Sequence, residues 1–154
     1  MAPVMAPEGQ QADLVEVHKA ARRLTLRRAG GVLKAYRVAL GFAPEGHKER
    51  EGDGRTPEGA YTIDARNPRS AFHLSLRVSY PDDKDKARAA ELGVAPGGDI
   101  YIHGQPNPSS EGPPDVPVDH PNRDWTTGCV AVTDAEMREI WSLVPTGTRV
   151  MIHP

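Results

Sequence analysis

A single cysteine, Cys129, stands in Thr126-Thr127-Gly128-Cys129-Val130, and His103 closes the stretch Tyr101-Ile102-His103-Gly104 upstream of it. A thiolate is a strong nucleophile, but a free thiol is mostly protonated at neutral pH, so cysteine chemistry needs a base. An imidazole delivered at the end of an apolar strand is such a base. Glycine beside a nucleophile lets the backbone approach a substrate, and the amides around it can face a developing oxyanion. A lone cysteine is also a small buried hydrophobe, and a histidine at a strand end can simply be hydrogen-bonded structure. Residue types and spacing leave both readings open.

Other chemistries find less support. His18, His47, His73, His103, His120 and His153 form no HxH or HxxxH pair, so zinc would need ligands gathered from distant segments. No metal and no cofactor is expected. Gly52-Asp53-Gly54 leads into Arg55-Thr56-Pro57, and the proline opposes a phosphate-cradling turn into a helix.

The elements that must position these groups follow from composition and pattern. A chain of 154 residues fits one domain with a single core. Two Phe and two Trp make that core aliphatic, and fifteen Gly with fifteen Pro imply many turns, which favours β structure over a helical bundle. The net charge of −2, with acids and bases interspersed, argues against a nucleic-acid partner. One cysteine excludes an intrachain disulfide and leaves the compartment open. No apolar run approaches a membrane span. Residues 1–11 lack the basic start and apolar stretch of a secretory signal and read as a disordered tail or an expression remnant, leaving 12–154 as one domain.

Leu14–His18 and Arg23–Arg27 alternate apolar and polar. Ala29-Gly30-Gly31 turns the chain into a third strand, Val32–Leu40, so a hairpin is expected. A charged, glycine-rich loop over 41–59 precedes a strand at Tyr61–Asp64. Phe72–Val78 alternates with its even positions apolar, leaving His73 on the polar face. Asp83–Leu92 is a short charged helix ended by Gly93, and Asp99–His103 is a strand delivering His103. A proline-rich loop over 105–124 is long for a small domain, a length that is often functional. Thr133-Asp134-Ala135-Glu136 is a capping box, followed by a core stripe of Met137, Ile140, Trp141 and Val144. Pro145 ends that helix and Thr148–Ile152 closes the chain as a strand. Cys129 thus lies four residues before a helix cap, where the helix dipole helps a thiolate only slightly.

Several segments, in order, carry a resemblance. Gly52-Asp53-Gly54-Arg55-Thr56-Pro57-Glu58-Gly59-Ala60-Tyr61, then Phe72-His73-Leu74-Ser75-Leu76, then Ser79-Tyr80-Pro81, then His103-Gly104 and Thr-Thr-Gly-Cys resemble the L,D-transpeptidase (YkuD) catalytic domain from about Asp13 to Pro154. The resemblance implies a mainly β, sandwich-like fold with one or two short helices. It implies that Cys129 attacks a D-amino-acid-linked carbonyl in a peptidoglycan stem peptide, and that an amine or water resolves the thioester. His103 would be the base, with the Gly104 carbonyl holding its other ring nitrogen. Gly128 and the Thr127 and Cys129 amides would form the oxyanion hole. Arg55 would hold a stem carboxylate or pin its own turn. His73 and Tyr80 would line the cleft, Trp125 would wall the acyl pocket or pack the loop, and His120 would be a lid contact. Two positions depart from the family pattern: Thr127 replaces a histidine before Gly-Cys, and Ala131 replaces Arg or Asn. The resemblance implies crosslink formation or protein attachment, and the two departures keep hydrolysis close behind. The alternatives are a hydrolytic relative (an L,D-carboxypeptidase or an amidase releasing a linked protein) and a catalytically silent wall-binding module. The implied location is the periplasm or cell wall, with stem peptides, and a wall-linked protein, as partners.

Overall fold

The alternating segments pair into one eight-stranded sheet in the computed structural model, which describes residues 2–108, 117 and 119–154. In chain order the elements are β1 (Leu14–His18), β2 (Arg23–Arg28), β3 (Gly31–Arg37), β4 (Gly59–Ser70), β5 (His73–Val78), α1 (Asp83–Leu92), β6 (Tyr101–His103), β7 (Val130–Ala131), α2 (Asp134–Leu143) and β8 (Arg149–His153). The expected hairpin is β2–β3, turning at Ala29 and Gly30, both with positive φ.

The strand order is β3-β2-β1-β8-β4-β5-β6-β7, and β4 is the pivot. Its first four residues pair with β8, and its remainder pairs with β5. The sequence pattern places only Tyr61–Asp64 in this strand, which in the structure runs on to Ser70 through Pro68. The register with β5 shifts between Asn67 and Ser70. Such an irregularity is where a strand tolerates proline. Beyond β3 the chain curls back, and Ala39 exchanges two 2.9 Å backbone hydrogen bonds with Ala131 of β7. The two ends of the sheet thereby meet. One apolar cluster takes Val15, Val17, Leu24 and Leu26 from one half and Leu74, Leu76, Ile102 and Val130 from the other.

Both helices are fixed by local chemistry. Asp82 and Thr133 each form a complete capping box, and Gly93 ends α1 in the left-handed conformation. Helix α2 buries Met137, Ile140 and Trp141 and packs against β5 and β6. Arg66 lies 3.9 Å over the Trp141 ring and donates to the Trp141 and Val144 carbonyls, satisfying the end of that helix with a cation. The segment read as a tail lies against the domain: Ala6 N–H donates to the Ser142 carbonyl, Ala12 N–H to that of Leu143, and Ala2 packs on the core. Of the long loop expected over 105–124, residues 109–116 and 118 lie outside the described residues.

Candidate active site

Strand alternation puts the candidate pair on one face. Strand β6 is parallel to β7, with Ile102 opposite Val130 and His103 opposite Ala131, while β5 sets Ser75 opposite His103. Ile102, Val130 and Leu76 are fully buried in the core. Their neighbours Tyr101, His103, Ser75 and Cys129 therefore point the other way, and all four line a cavity of about 460 Å³.

His103 is 3% exposed. Its Nδ1 lies 2.6 Å from the Gly104 carbonyl, an acceptor only, so that nitrogen carries the proton and Nε2 is left with a lone pair. The Phe72 ring packs on the imidazole at 4.4 Å, and Trp125 meets it edge-on at 6.1 Å. Burial pushes the imidazole down to about 4, with the Gly104 carbonyl opposing and His120 adding slightly. His103 is thus neutral at pH 7. A Cβ at Gly104 would lie 2.4 Å from Asp134 Oδ1 and 3.1 Å from His73 Cβ, so a larger residue would displace the carboxylate and press on His73.

The Cys129 thiol is 9% exposed. It donates to the Asp99 carbonyl at 3.2 Å and accepts from Tyr101 N–H at 3.4 Å. Burial pushes the thiol up to about 11; the Tyr101 amide opposes this and the Asp99 carboxylate adds to it. The resting pair is therefore a neutral thiol and a neutral imidazole.

The backbone around the thiol is held by a residue that sequence reasoning passed over. Buried Thr126 accepts from Gly128 N–H at 3.1 Å and donates to the Cys129 carbonyl at 2.7 Å. The only advance signal was a threonine two residues before glycine, where a hydroxyl can bond its own turn. Gly128 has φ +147, and a Cβ there would lie 2.9 Å from the Arg55 carbonyl oxygen, so no larger residue fits. Trp125 and Thr127 line the cavity. His120 anchors Trp125: Nδ1 accepts from the indole N–H at 3.0 Å, while Nε2 donates to the Val132 carbonyl at 2.9 Å.

Three expected cleft residues lie elsewhere. The Arg55 guanidinium is held by the His47 carbonyl and Glu49. Tyr80 is buried, with its hydroxyl on the Pro96 carbonyl. His73 starts β5 with its N–H on Asn107 and is not among the cavity's lining residues. In their place the cavity gains Asp99, Tyr101, Phe72, Asn67 and Ser70. Asp99 has φ +54, and its carboxylate accepts from the Tyr101 hydroxyl at 3.2 Å. Among the described residues it is the one charged residue lining the cavity. Counting back by two from His103 along β6 reaches Tyr101, whereas Asp99 lies before the strand, where alternation gives no signal. Among the described residues, no metal-ligand group forms around Cys129.

A family model for the L,D-transpeptidase catalytic domain matches residues 12–152. Among solved structures, the helical cell shape determining protein Pgp2 from Campylobacter jejuni is similar with a TM-score of 0.65 at 21% identity, over 95% of this chain and 51% of that one. Bd1075 from Bdellovibrio bacteriovorus gives 0.61 at 22%, over 97% and 50%. An L,D-transpeptidase from Xylanimonas cellulosilytica gives 0.54 at 20%, over 99% and 65%. The chain therefore spans about half the length of Pgp2 and of Bd1075. A comparison with curated proteins gives no match. Identities this low speak for a shared mainly β fold, whereas the family model covers nearly all of the chain, from β1 through β8. This chain belongs to the L,D-transpeptidase catalytic domain (YkuD) family.

Proposed function

We propose that the chain is a cysteine acyltransferase of the cell wall, acting on peptidoglycan stem peptides as an L,D-transpeptidase. The observation that carries this reading is one cavity holding both Cys129 and a His103 whose Nδ1 is committed to the Gly104 carbonyl, leaving Nε2 as a base. With both groups neutral at rest, deprotonation accompanies attack. His103 Nε2 takes the Cys129 proton as sulfur adds to the stem carbonyl. The oxyanion gathers on the Thr127 and Cys129 amides, because the Gly128 N–H is already donated to Thr126. The intermediate collapses to a thioester as His103 returns the proton to the leaving amine. An incoming amine then gives its proton to His103 and takes the acyl group, restoring the thiol.

An amine acceptor suits the cavity: among the described residues its one charged lining residue is Asp99, and Arg55, the expected partner for a stem carboxylate, lies outside it. The hydrolytic reading, in which water resolves the thioester, draws on Thr127 and Ala131, where the family pattern is broken. Work on stem peptides places the enzyme in the periplasm or wall, and the likeness to a protein named for helical cell shape suggests a part in shaping that wall. The test is incubation with a stem tetrapeptide, with and without an amine acceptor, read by product mass for the wild type and Cys129→Ala. A crosslinked mass supports transfer, and free tripeptide despite added amine supports hydrolysis. Turnover retained by Cys129→Ala, or none in the wild type, overturns the enzyme reading and leaves a binding module.

A further inference from the structure

Strands β1 and β8 are parallel neighbours, with His18 directly opposite His153 and Glu16 opposite Met151. Val15, Val17, Val150 and Ile152 fill the core, so the intervening Glu16, His18 and His153 share the outer face. The two imidazoles stack with centroids 4.7 Å apart and planes 16° apart. Both address the same carboxylate oxygen: His153 Nε2 lies 2.8 Å from Glu16 Oε2, and His18 Nε2 lies 3.9 Å from it. One ligand atom from each of the three residues falls within 4.8 Å of the others. The other Glu16 oxygen is taken by Arg27 Nε.

From this geometry we propose a divalent transition-metal site, suited to zinc, formed by Glu16, His18 and His153. Zinc bonds of about 2.0–2.2 Å to nitrogen and oxygen set tetrahedral ligands roughly 3.4 Å apart, a spacing that the observed separations bracket. Two neutral imidazoles and one carboxylate oxygen are borderline donors that suit zinc over calcium or magnesium. Arg27 makes the carboxylate monodentate and fixes its orientation, the part that outer partners play around metal ligands. The histidine side chains are 38% exposed and Glu16 is 16% exposed, so the pocket is formed on the protein side and open to water for the remaining coordination. The ligands come from opposite ends of the chain, 137 positions apart for Glu16 and His153. Zinc would therefore tie the first strand to the last, away from the cavity of Cys129.

The test is calorimetric titration of the full chain, stripped of metal by chelation, with zinc chloride, for wild type, His18→Gln, His153→Gln and Cys129→Ser. The expected result is one saturable equivalent in the wild type and in Cys129→Ser, at least about tenfold weaker in each glutamine variant. Thermal unfolding of the wild type should shift upward with zinc, since a ligand of the folded state stabilises it by mass action. The proposal is overturned by no saturable binding, by binding indifferent to both glutamine variants, or by binding lost in Cys129→Ser. If a glutamine variant does not fold, histidine ring resonances of the wild type decide. Zinc should move those of His18 and His153 and leave His103 in place, and any other pattern overturns the site.

Discussion

Replacing His103 with glutamine should turn a pH-independent enzyme into one that waits for its thiolate. Burial places the Cys129 thiol at about 11 and the His103 imidazole at about 4. At pH 7 the thiol is thus four units below its midpoint, so about one molecule in 10⁴ carries a thiolate, at a cost of about 5 kcal/mol. With His103 present, the reactive form is the neutral pair, which dominates at every pH between the two values. The wild-type acylation rate should therefore be flat from about pH 5 to pH 10, falling only as His103 protonates near 4. His103→Gln must rely on the residual thiolate. Its rate at pH 7 should fall by about 10²–10⁴, and the deficit should shrink about tenfold with each added pH unit. The assay is the acylation rate constant by intact-protein mass spectrometry with a carbapenem, followed from pH 5 to 10. A wild-type profile that declines above pH 8 or 9 would mean a resting thiolate–imidazolium pair and refute the reasoning. So would a variant within tenfold of wild type at pH 7.

Three further outcomes follow from particular contacts. Thr126→Val strips partners from the buried Gly128 N–H and Cys129 carbonyl and should cost about 2–4 kcal/mol in urea unfolding, with Thr126→Ser restoring most of it. Asp99→Asn keeps the backbone carbonyl that holds the thiol but removes the Asp99 charge from the cavity; KM for an amine acceptor should rise severalfold with acylation little changed, and equal losses in both steps would argue against amine recognition. Asp53 and Asp85 are both held below the ordinary carboxylate range. Burial raises each, but Lys48 and the Glu49, Arg55 and Arg50 amides outweigh it at Asp53, and the Asp82 amide, Tyr61 hydroxyl and His47 do so at Asp85. A depressed folded value stabilises above the unfolded value and is lost as pH falls, so urea midpoints should drop between about pH 5 and pH 3. Asp53→Asn should flatten that slope.

Much of the architecture was legible because it rests on short-range chemistry. Capping boxes need only a side chain and an amide three residues on, so the Thr133 box at the start of α2 could be read directly, and Gly93 marked the end of α1. Alternation located β1, β2 and β5, and β6 was expected as the strand that ends on His103. The thiol, the imidazole and the glycines beside them announced their chemistry by type alone. What the chain could not disclose is how strands far apart in sequence pair. Pairing of β5 with β6 carries Phe72 and Ser75 to His103, and the extension of β4 carries Asn67 and Ser70 to the same cavity. Tertiary partners also turned Arg55 and Tyr80 away, since the His47 and Pro96 carbonyls lay within reach. The same holds for Lys19, buried at 3% exposure among the Gly46 and Thr56 carbonyls and Glu58, and for Glu16, His18 and His153, brought together only because the first strand lies beside the last. By itself the sequence determined the local elements and the kind of chemistry they can do. The tertiary structure decided the protonation states and the company each group keeps, because burial and neighbours depend on long-range register that no local pattern encodes.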